Sequence, residues 1–208
     1  IRKSYPNAKF VALFRDPRAV AYSEKHVKFG SPSVFVSSRR WRKYVKQHHF
    51  WQSNLSDKNY MLLRYCDLIS KPELQLKRVC DFLDVKFENY MLKYHKRKEA
   101  GFAFSEISWK KETFEPIKKD KNQRWRDGLK ETETALIETV VGGYLQSLEY
   151  NSVYLHKQYL KSFRVFWPDY MKSVKASFVG SRKEKYTSFK KLWRLCFLTN
   201  AGFKRFKK

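Results

Sequence analysis

Apolar and polar positions along the chain follow two alternating patterns. Two short segments, residues 9–14 and 60–64, are mostly apolar, which is typical of strands buried on both faces of a parallel sheet. Between and after them, apolar residues recur every three or four positions, the period of helices that bury one face. Strands that alternate with helices predict an α/β fold with a parallel sheet.

Local start and stop signals place the helices. Asp is a favoured N-cap and Pro a favoured first helical residue, so Asp16 and Pro17 predict a helix from residue 17 to about Lys28. The same reasoning predicts further helices over residues 38–53, 72–84, 88–96 and 132–148. Gly142 and Gly143 weaken the middle of the last helix.

Two stretches depart from this alternation. Residues 97–122 are polar and basic without a clear period, which predicts a long surface loop. This loop either forms one wall of a ligand-binding cleft or is simply solvated. From residue 151 onward a basic helix with aromatic residues on one side is expected to end at Pro168, before a second basic, aromatic stretch over residues 183–208. We therefore expect one domain over residues 1–150 and a basic, aromatic-rich helical extension over residues 151–208.

The net charge adds a second constraint. The 208 residues include 45 Lys and Arg against 20 Asp and Glu, a formal charge of +25, and +13 of this belongs to residues 151–208. Such a charge attracts polyanions or an anionic membrane surface and says little about the fold. The extension either contacts an anionic membrane or a sulfated glycan, or packs its aromatic side on the domain. The three cysteines show no metal-ligand spacing, so no metal site is expected.

The most informative segment is residues 15–23, where the first strand meets the first helix. In α/β folds the carboxyl end of a strand followed by a helix N-terminus is a phosphate-binding position, because backbone N–H groups and the helix dipole face the ligand. Arg15 can add a bidentate clamp, and Ser23 a hydroxyl donor. The alternative is an ordinary strand-to-helix turn in which Arg15 pairs with a carboxylate.

Four segments, in order, resemble those of sulfotransferases that use the sulfate donor 3′-phosphoadenosine 5′-phosphosulfate (PAPS). Residues 6–23, with Pro-Asn-Ala-Lys-Phe-Val, then Arg-Asp-Pro and a Ser, resemble the segment that holds the 3′-phosphate. Residues 64–83 contain Arg-Tyr-Cys-Asp-Leu, Lys-Pro-Glu and Phe-Leu, and resemble the family's Tyr-Glu-Asp-Leu segment. Residues 124–129 resemble the late basic segment, and residues 148–150 the Leu-Gly-Tyr that ends the domain.

This resemblance implies a P-loop-NTPase-like three-layer α/β fold and a nucleotide site. The implied nucleotide contacts are Arg15 and Ser23 at the 3′-phosphate, Tyr65 at the adenine, and Arg124, Trp125 and Arg126 in the segment that closes over the nucleotide. The implied reaction transfers a sulfuryl group from PAPS to a hydroxyl or amine and leaves adenosine 3′,5′-bisphosphate, without a metal. Two positions depart from the pattern: Cys66 replaces an acidic residue, and Glu149 replaces a glycine.

The family's catalytic groups are expected elsewhere. By the same resemblance, the loop that cradles the 5′-phosphosulfate with a catalytic Lys, and the general base, precede the Arg-Asp-Pro strand. Only fourteen residues precede Arg15, so we expect these groups upstream of Ile1, in a domain that is N-terminally truncated here. We therefore predict no catalytic residue within this sequence and expect it to be inactive alone.

Partners follow from the resemblance and the charge together. The first hypothesis is a sulfotransferase with a nucleotide donor and an acidic, carbohydrate or peptide acceptor. The alternative is a non-catalytic basic module that binds polyanions such as glycosaminoglycan or nucleic acid, although no nucleic-acid-binding motif accompanies the charge. The resemblance would place a eukaryotic secretory enzyme in the Golgi lumen or at its membrane, and any other relative in the cytoplasm.

Overall fold

The computed structural model describes residues 4–27, 29–96, 114–118, 122–154 and 159–179. Along these residues two strands and eight α-helices follow one another. The strands are β1 (Phe10–Phe14) and β2 (Tyr60–Arg64), and the helices are α1 (Pro17–Lys25), α2 (Val34–Asn54), α3 (Tyr65–Ser70), α4 (Pro72–Leu83), α5 (Trp125–Gly128), α6 (Glu131–Val141), α7 (Tyr144–Ser147) and α8 (Tyr159–Val179). A 3₁₀ segment spans Asn89–Lys96. Most of the predicted loop at 97–122 and all of the stretch at 183–208 lie outside the described residues.

The two strands pair in parallel, as the alternation predicted. Phe10 lies opposite Tyr60, and Phe14 lies opposite Arg64. Parallel strands in register end at the same edge of the sheet. The residues that follow the strands, Arg15 and Tyr65, are therefore brought to that edge together.

Three helix predictions were wrong about where a helix begins, breaks or ends. α2 begins at Val34 rather than at residue 38, because Ser33 is its N-cap and accepts the Val36 N–H at 3.3 Å. The helix predicted over 132–148 is split into α6 and α7 at Gly142, which has a φ of 57°. α8 continues through Pro168, where an end was expected.

Contacts between α8 and α2 explain why the helix persists beyond Pro168. The Asp169 side chain, on a residue only 1% exposed, accepts the Ser33 hydroxyl at 2.7 Å and the Phe35 N–H at 3.0 Å. The Phe35 ring packs edge-on against Phe166 at a centroid distance of 4.5 Å. This part of the extension thus packs an aromatic side on the domain, the second of the two interpretations of its sequence.

The core lies between α1, α2, α6 and α8. Its buried apolar side chains include Ala19, Ala21, Val34, Trp41, Val45, Leu136, Ile137, Val141, Leu145 and Tyr170. Within the described ranges, no helix is both long enough and apolar enough to cross a membrane.

Glu149 occupies the position at which the resembling segment has glycine. Its φ is 57°, in the left-handed region where a side chain is unfavourable and glycine is not. Its exposed carboxylate binds Arg64 at 2.5 Å. Residue 149 therefore has a backbone conformation that suits a glycine, and the Glu149 side chain forms an ion pair with Arg64.

Two substitutions of Glu149 separate these two contributions. Both Glu149→Ala and Glu149→Gly remove the ion pair, which is worth about 0–1 kcal/mol at this exposure. Only glycine relieves the left-handed backbone, so we expect Glu149→Gly to unfold with a free energy about 0.5–1 kcal/mol higher than Glu149→Ala. Urea denaturation measures the difference, and equal stabilities would contradict the assigned backbone strain.

Asp169 provides a second test of the packing. Asp169→Ala leaves the Phe35 N–H and the Ser33 hydroxyl buried without their acceptor, so we expect the free energy of unfolding to fall by about 1–3 kcal/mol. The matched control is Asp57→Ala, at an exposed carboxylate. Equal losses in the two variants, measured by urea denaturation, would show that α8 does not stabilise the domain through Asp169.

Candidate functional site

Arg15 and Tyr65 meet at the carboxyl edge of the sheet. The Arg15 guanidinium carbon lies 4.9 Å from the centroid of the Tyr65 ring, and both residues are half-buried. The Arg15 carbonyl accepts the Trp41 indole N–H at 2.9 Å, which fixes the backbone at the end of β1. Ligands of α/β proteins bind outside the carboxyl ends of strands, so this pair stands where a ligand is expected.

The N-terminus of α1 offers less to an anion than the sequence suggested. Pro17 has no N–H, the Arg18 N–H donates to the Asp16 carboxylate at 2.8 Å, and the Val20 N–H donates to the Asp16 carbonyl at 2.9 Å. The prediction of open backbone amides at this turn was therefore wrong for these positions. An anion at this turn depends mainly on side chains.

The second predicted phosphate contact, Ser23, lies exposed in the last turns of α1. Its carbonyl accepts the His26 N–H at 3.1 Å, which closes the helix. α1 rises directly from the turn that carries Arg15. Arg15 and Ser23 are therefore joined by one short helix of nine residues.

The segment with Arg124, Trp125 and Arg126 divides into a buried anchor and two flanking cations. Trp125 is only 4% exposed and belongs to the core. Arg126 is exposed, with its guanidinium carbon 4.8 Å from the centre of the Trp125 ring, and Arg124 is half-buried. The burial of Trp125 leaves the two arginines as the members of this segment better placed for a ligand.

Arg18 is the central residue that the sequence analysis did not identify. Its side chain donates to both oxygens of Asp16, at 2.9 and 2.6 Å, to Glu138 at 2.7 Å and to the Asn151 carbonyl at 3.0 Å. Its guanidinium carbon lies 4.2 Å from the centre of the Trp125 ring. Burial alone would lower the pKa of Arg18, but its bonds to the Asp16 and Glu138 carboxylates raise that pKa, so the group is charged. The sequence feature that could have indicated this role is Glu138, a charged residue on the buried side of the apolar helix α6.

Cys66 adds no charge to the site. The half-buried thiol lies beside Asp67 and within hydrogen-bonding reach of the Tyr150 hydroxyl, which donates to the Phe14 carbonyl at 3.3 Å. Burial, together with the negative charge of Asp67, raises the pKa of the Cys66 thiol. Burial also raises the pKa of Tyr150 far above its usual range. The departure from an acidic residue therefore makes this position neutral.

A cleft of about 510 Å³ opens beside β2, and none of the six predicted nucleotide contacts lines it. Arg64 stands in its wall, bound to Asp67 at 2.7 Å and to Glu149. Its charge is thus already neutralised by two carboxylates. The strand ends, with Arg15 over Tyr65, are the better candidate for an anion site.

We find no candidate metal site in the described parts of the chain. There, no three His, Cys, Asp or Glu side chains are grouped so as to hold a metal ion. The ring nitrogen Nδ1 of His48 lies 2.7 Å from the Tyr60 hydroxyl, and burial lowers the pKa of His48. This histidine is accounted for as part of the packing between α2 and β2.

Comparison with known proteins identifies the segment that carries Arg15, Ser23 and Tyr65. A model of the sulfotransferase family matches residues 1–89. This segment is therefore similar to members of the sulfotransferase family. Arg124, Trp125 and Arg126 lie beyond the matched sulfotransferase segment.

Curated relatives cover a similar part of the chain. Two nematode proteins, each described as "Putative protein-tyrosine sulfotransferase", are similar to this chain. The protein from Caenorhabditis briggsae is 33% identical over 103 residues, and the match covers 46% of this chain and 35% of the relative. The other, from Caenorhabditis elegans, is 34% identical over 102 residues, 45% of this chain and 38% of the relative. The chain thus spans little more than a third of the length of these sulfotransferases.

Solved sulfotransferase domains share the fold. The domain from the curacin biosynthetic pathway superposes with a TM-score of 0.53 at 22% identity, over 70% of this chain and 54% of that one. The domain from the Synechococcus PCC 7002 olefin synthase gives 0.57 at 21% identity, over 69% and 50%. These matches confirm the predicted P-loop-like α/β fold.

The environment of Cys66 in the sulfotransferase segment makes a chemical prediction. A thiol with a raised pKa holds less thiolate, which is the reactive form. We expect iodoacetamide at pH 8 to modify Cys66 more slowly in the folded protein than in the same chain unfolded in urea. Peptide-resolved mass spectrometry follows this cysteine alone, and equal rates would contradict the assigned environment.

Proposed function

We propose that the chain supplies the adenosine 3′-phosphate contacts of a sulfotransferase that moves a sulfuryl group from PAPS to a hydroxyl. The observation that carries this proposal is the Arg15 guanidinium lying over the Tyr65 ring at the paired strand ends. The similarity of residues 1–89 to the sulfotransferase family supports the reaction class. Adenosine 3′,5′-bisphosphate would be the second product.

The side chains at the strand ends fit a nucleotide in both charge and shape. A guanidinium can donate two parallel hydrogen bonds to a phosphate, and such charge-assisted bonds are the strong ones. The Tyr65 ring beside it offers an aromatic surface to a base. Exposed Ser23 carries a hydroxyl donor on the same helix, and Arg126 carries a further cation on the segment packed against that helix.

The role of these residues in the reaction would be to bind and orient the donor. Sulfuryl transfer resembles phosphoryl transfer, in which positioning and positive charge supply most of the rate. The residues described here would hold the adenosine end of the donor and so fix the direction of the sulfuryl group. We assign the general base and the cation at the reacting oxygens to no residue of this chain.

For the acceptor we propose the phenolic hydroxyl of a tyrosine in an acidic peptide. The names of the two nematode relatives support a protein-tyrosine acceptor. The net charge of +25 supports an acidic sequence around that tyrosine, because a positive field concentrates anionic substrates and speeds their association.

Arg15→Ala tests the proposed donor site. A hydrogen bond to a charged group is worth about 1.5–3 kcal/mol, so we expect adenosine 3′,5′-bisphosphate to bind roughly tenfold more weakly, or worse. Isothermal titration calorimetry on the 208-residue chain measures this. Binding of adenosine 5′-monophosphate, which lacks the 3′-phosphate, should change much less.

Arg40→Ala is the matched control. It removes another arginine, one that is exposed and paired with Glu24 at 3.1 Å, so it lowers the net charge equally. Equal losses in Arg15→Ala and Arg40→Ala would assign binding to the general positive field. That result, with a steep dependence on salt, would favour the polyanion-binding module over the enzyme.

A further inference from the structure

One buried guanidinium joins the turn after β1 to three later segments. Arg18 is bound to Asp16, which caps α1 directly after Arg15, and to Glu138 of α6. It also donates to the Asn151 carbonyl and lies over the ring of Trp125 in α5. Glu138 in turn accepts the N–H groups of residues 153 and 154, at 3.0 and 2.9 Å. The bonds are directional, so they fix orientation as well as distance.

A second contact joins α1 to α5 beside Arg18. A Cβ atom placed on Gly128 would lie 2.0 Å from the ring of Tyr22, well inside van der Waals contact. The glycine therefore permits the ring of Tyr22 to pack against the backbone at the end of α5. Arg18 with Trp125, and Tyr22 with Gly128, together hold α5 against the helix that carries Ser23.

We infer that Arg18 is a positioning residue for the proposed nucleotide site, holding Arg126 in place relative to Arg15 by way of Trp125. The Trp125 ring is shared, since the guanidinium carbons of Arg18 and Arg126 lie 4.2 and 4.8 Å from its centre. Displacement of the ring therefore displaces the cation beside it. This inference rests on the proposed function, because it concerns how the arginines of that site are arranged.

Stability alone is a poor explanation for this arrangement. Apolar side chains of similar volume often replace a buried ion pair without loss of stability, whereas they cannot reproduce its geometry. The last turn of α1 is held independently, since Lys25 binds both oxygens of the buried Glu133 at 2.9 and 3.1 Å. α1 is therefore expected to stay docked when Arg18 is changed conservatively.

A double-mutant cycle in nucleotide affinity tests the inference. Arg18→Lys keeps the charge but loses the planar group that bridges two carboxylates and stacks on Trp125. We expect Arg126→Ala to weaken binding of adenosine 3′,5′-bisphosphate about tenfold in the natural chain, but less than about twofold in the Arg18→Lys chain. Calorimetry is performed below the unfolding temperature of every variant, so that only folded protein is compared.

Arg42→Lys is the matched control background. Arg42 also donates to a backbone carbonyl of α6, that of Val140 at 3.1 Å, and also lies over an aromatic ring, that of Tyr144 at 5.5 Å. Among the described residues, Arg42 makes no hydrogen bond or ion pair with the turn after β1 or with α5. In this background Arg126→Ala should retain its full effect.

The outcomes distinguish this inference from the proposed function. Additive losses for Arg18→Lys and Arg126→Ala would overturn the positioning role and leave the site intact. Failure of the natural chain to bind the bisphosphate would overturn both. If Arg18→Lys does not fold, Glu138→Gln takes its place in the cycle, because this isosteric change removes one of the two carboxylates that orient Arg18. Additive losses of affinity for Glu138→Gln and Arg126→Ala would then overturn the inference.

Discussion

The buried charge of Arg18 is the constraint on which the described structure most depends. The residue is 3% exposed, and such a charge is tolerated in a protein interior only when it is paired and hydrogen-bonded. Asp16 and Glu138 supply the pairing from positions 2 and 120 residues away. Removal of one partner from a buried ion pair costs about 3–5 kcal/mol, so α1 and α6 must keep their mutual positions.

This constraint also shapes the candidate site. Asp16 uses its carboxylate on Arg18 and on the first amide of α1, so the helix N-terminus is closed by the protein's own anion. The preceding residue, Arg15, is left at the strand end with its guanidinium over Tyr65. A phosphate bound there would therefore be contacted by the Arg15 guanidinium rather than by backbone N–H groups. The similarity of residues 1–89 to the sulfotransferase family agrees with a site of this kind.

Local signals predicted what depends on neighbours in sequence. The apolar run of β2 gave its bounds, and Asp16 followed by Pro17 gave the start of α1. Contacts between distant residues were beyond such signals: Asp169 binds Ser33 and the Phe35 N–H at the start of α2, and α8 continues through Pro168. The predicted residues Arg15 and Tyr65 do meet, because parallel pairing follows from the alternation, whereas the role of Arg18 depends on Glu138, far along the chain.

The most direct test of the account is whether the chain recognises the 3′-phosphate of an adenine nucleotide. Titration calorimetry would compare adenosine 3′,5′-bisphosphate with its 2′,5′ isomer, which has the same charge and the same base. We expect saturable binding at one site per chain, with a clear preference for the 3′,5′ isomer. Equal affinities for the two isomers, or binding that does not saturate, would contradict it.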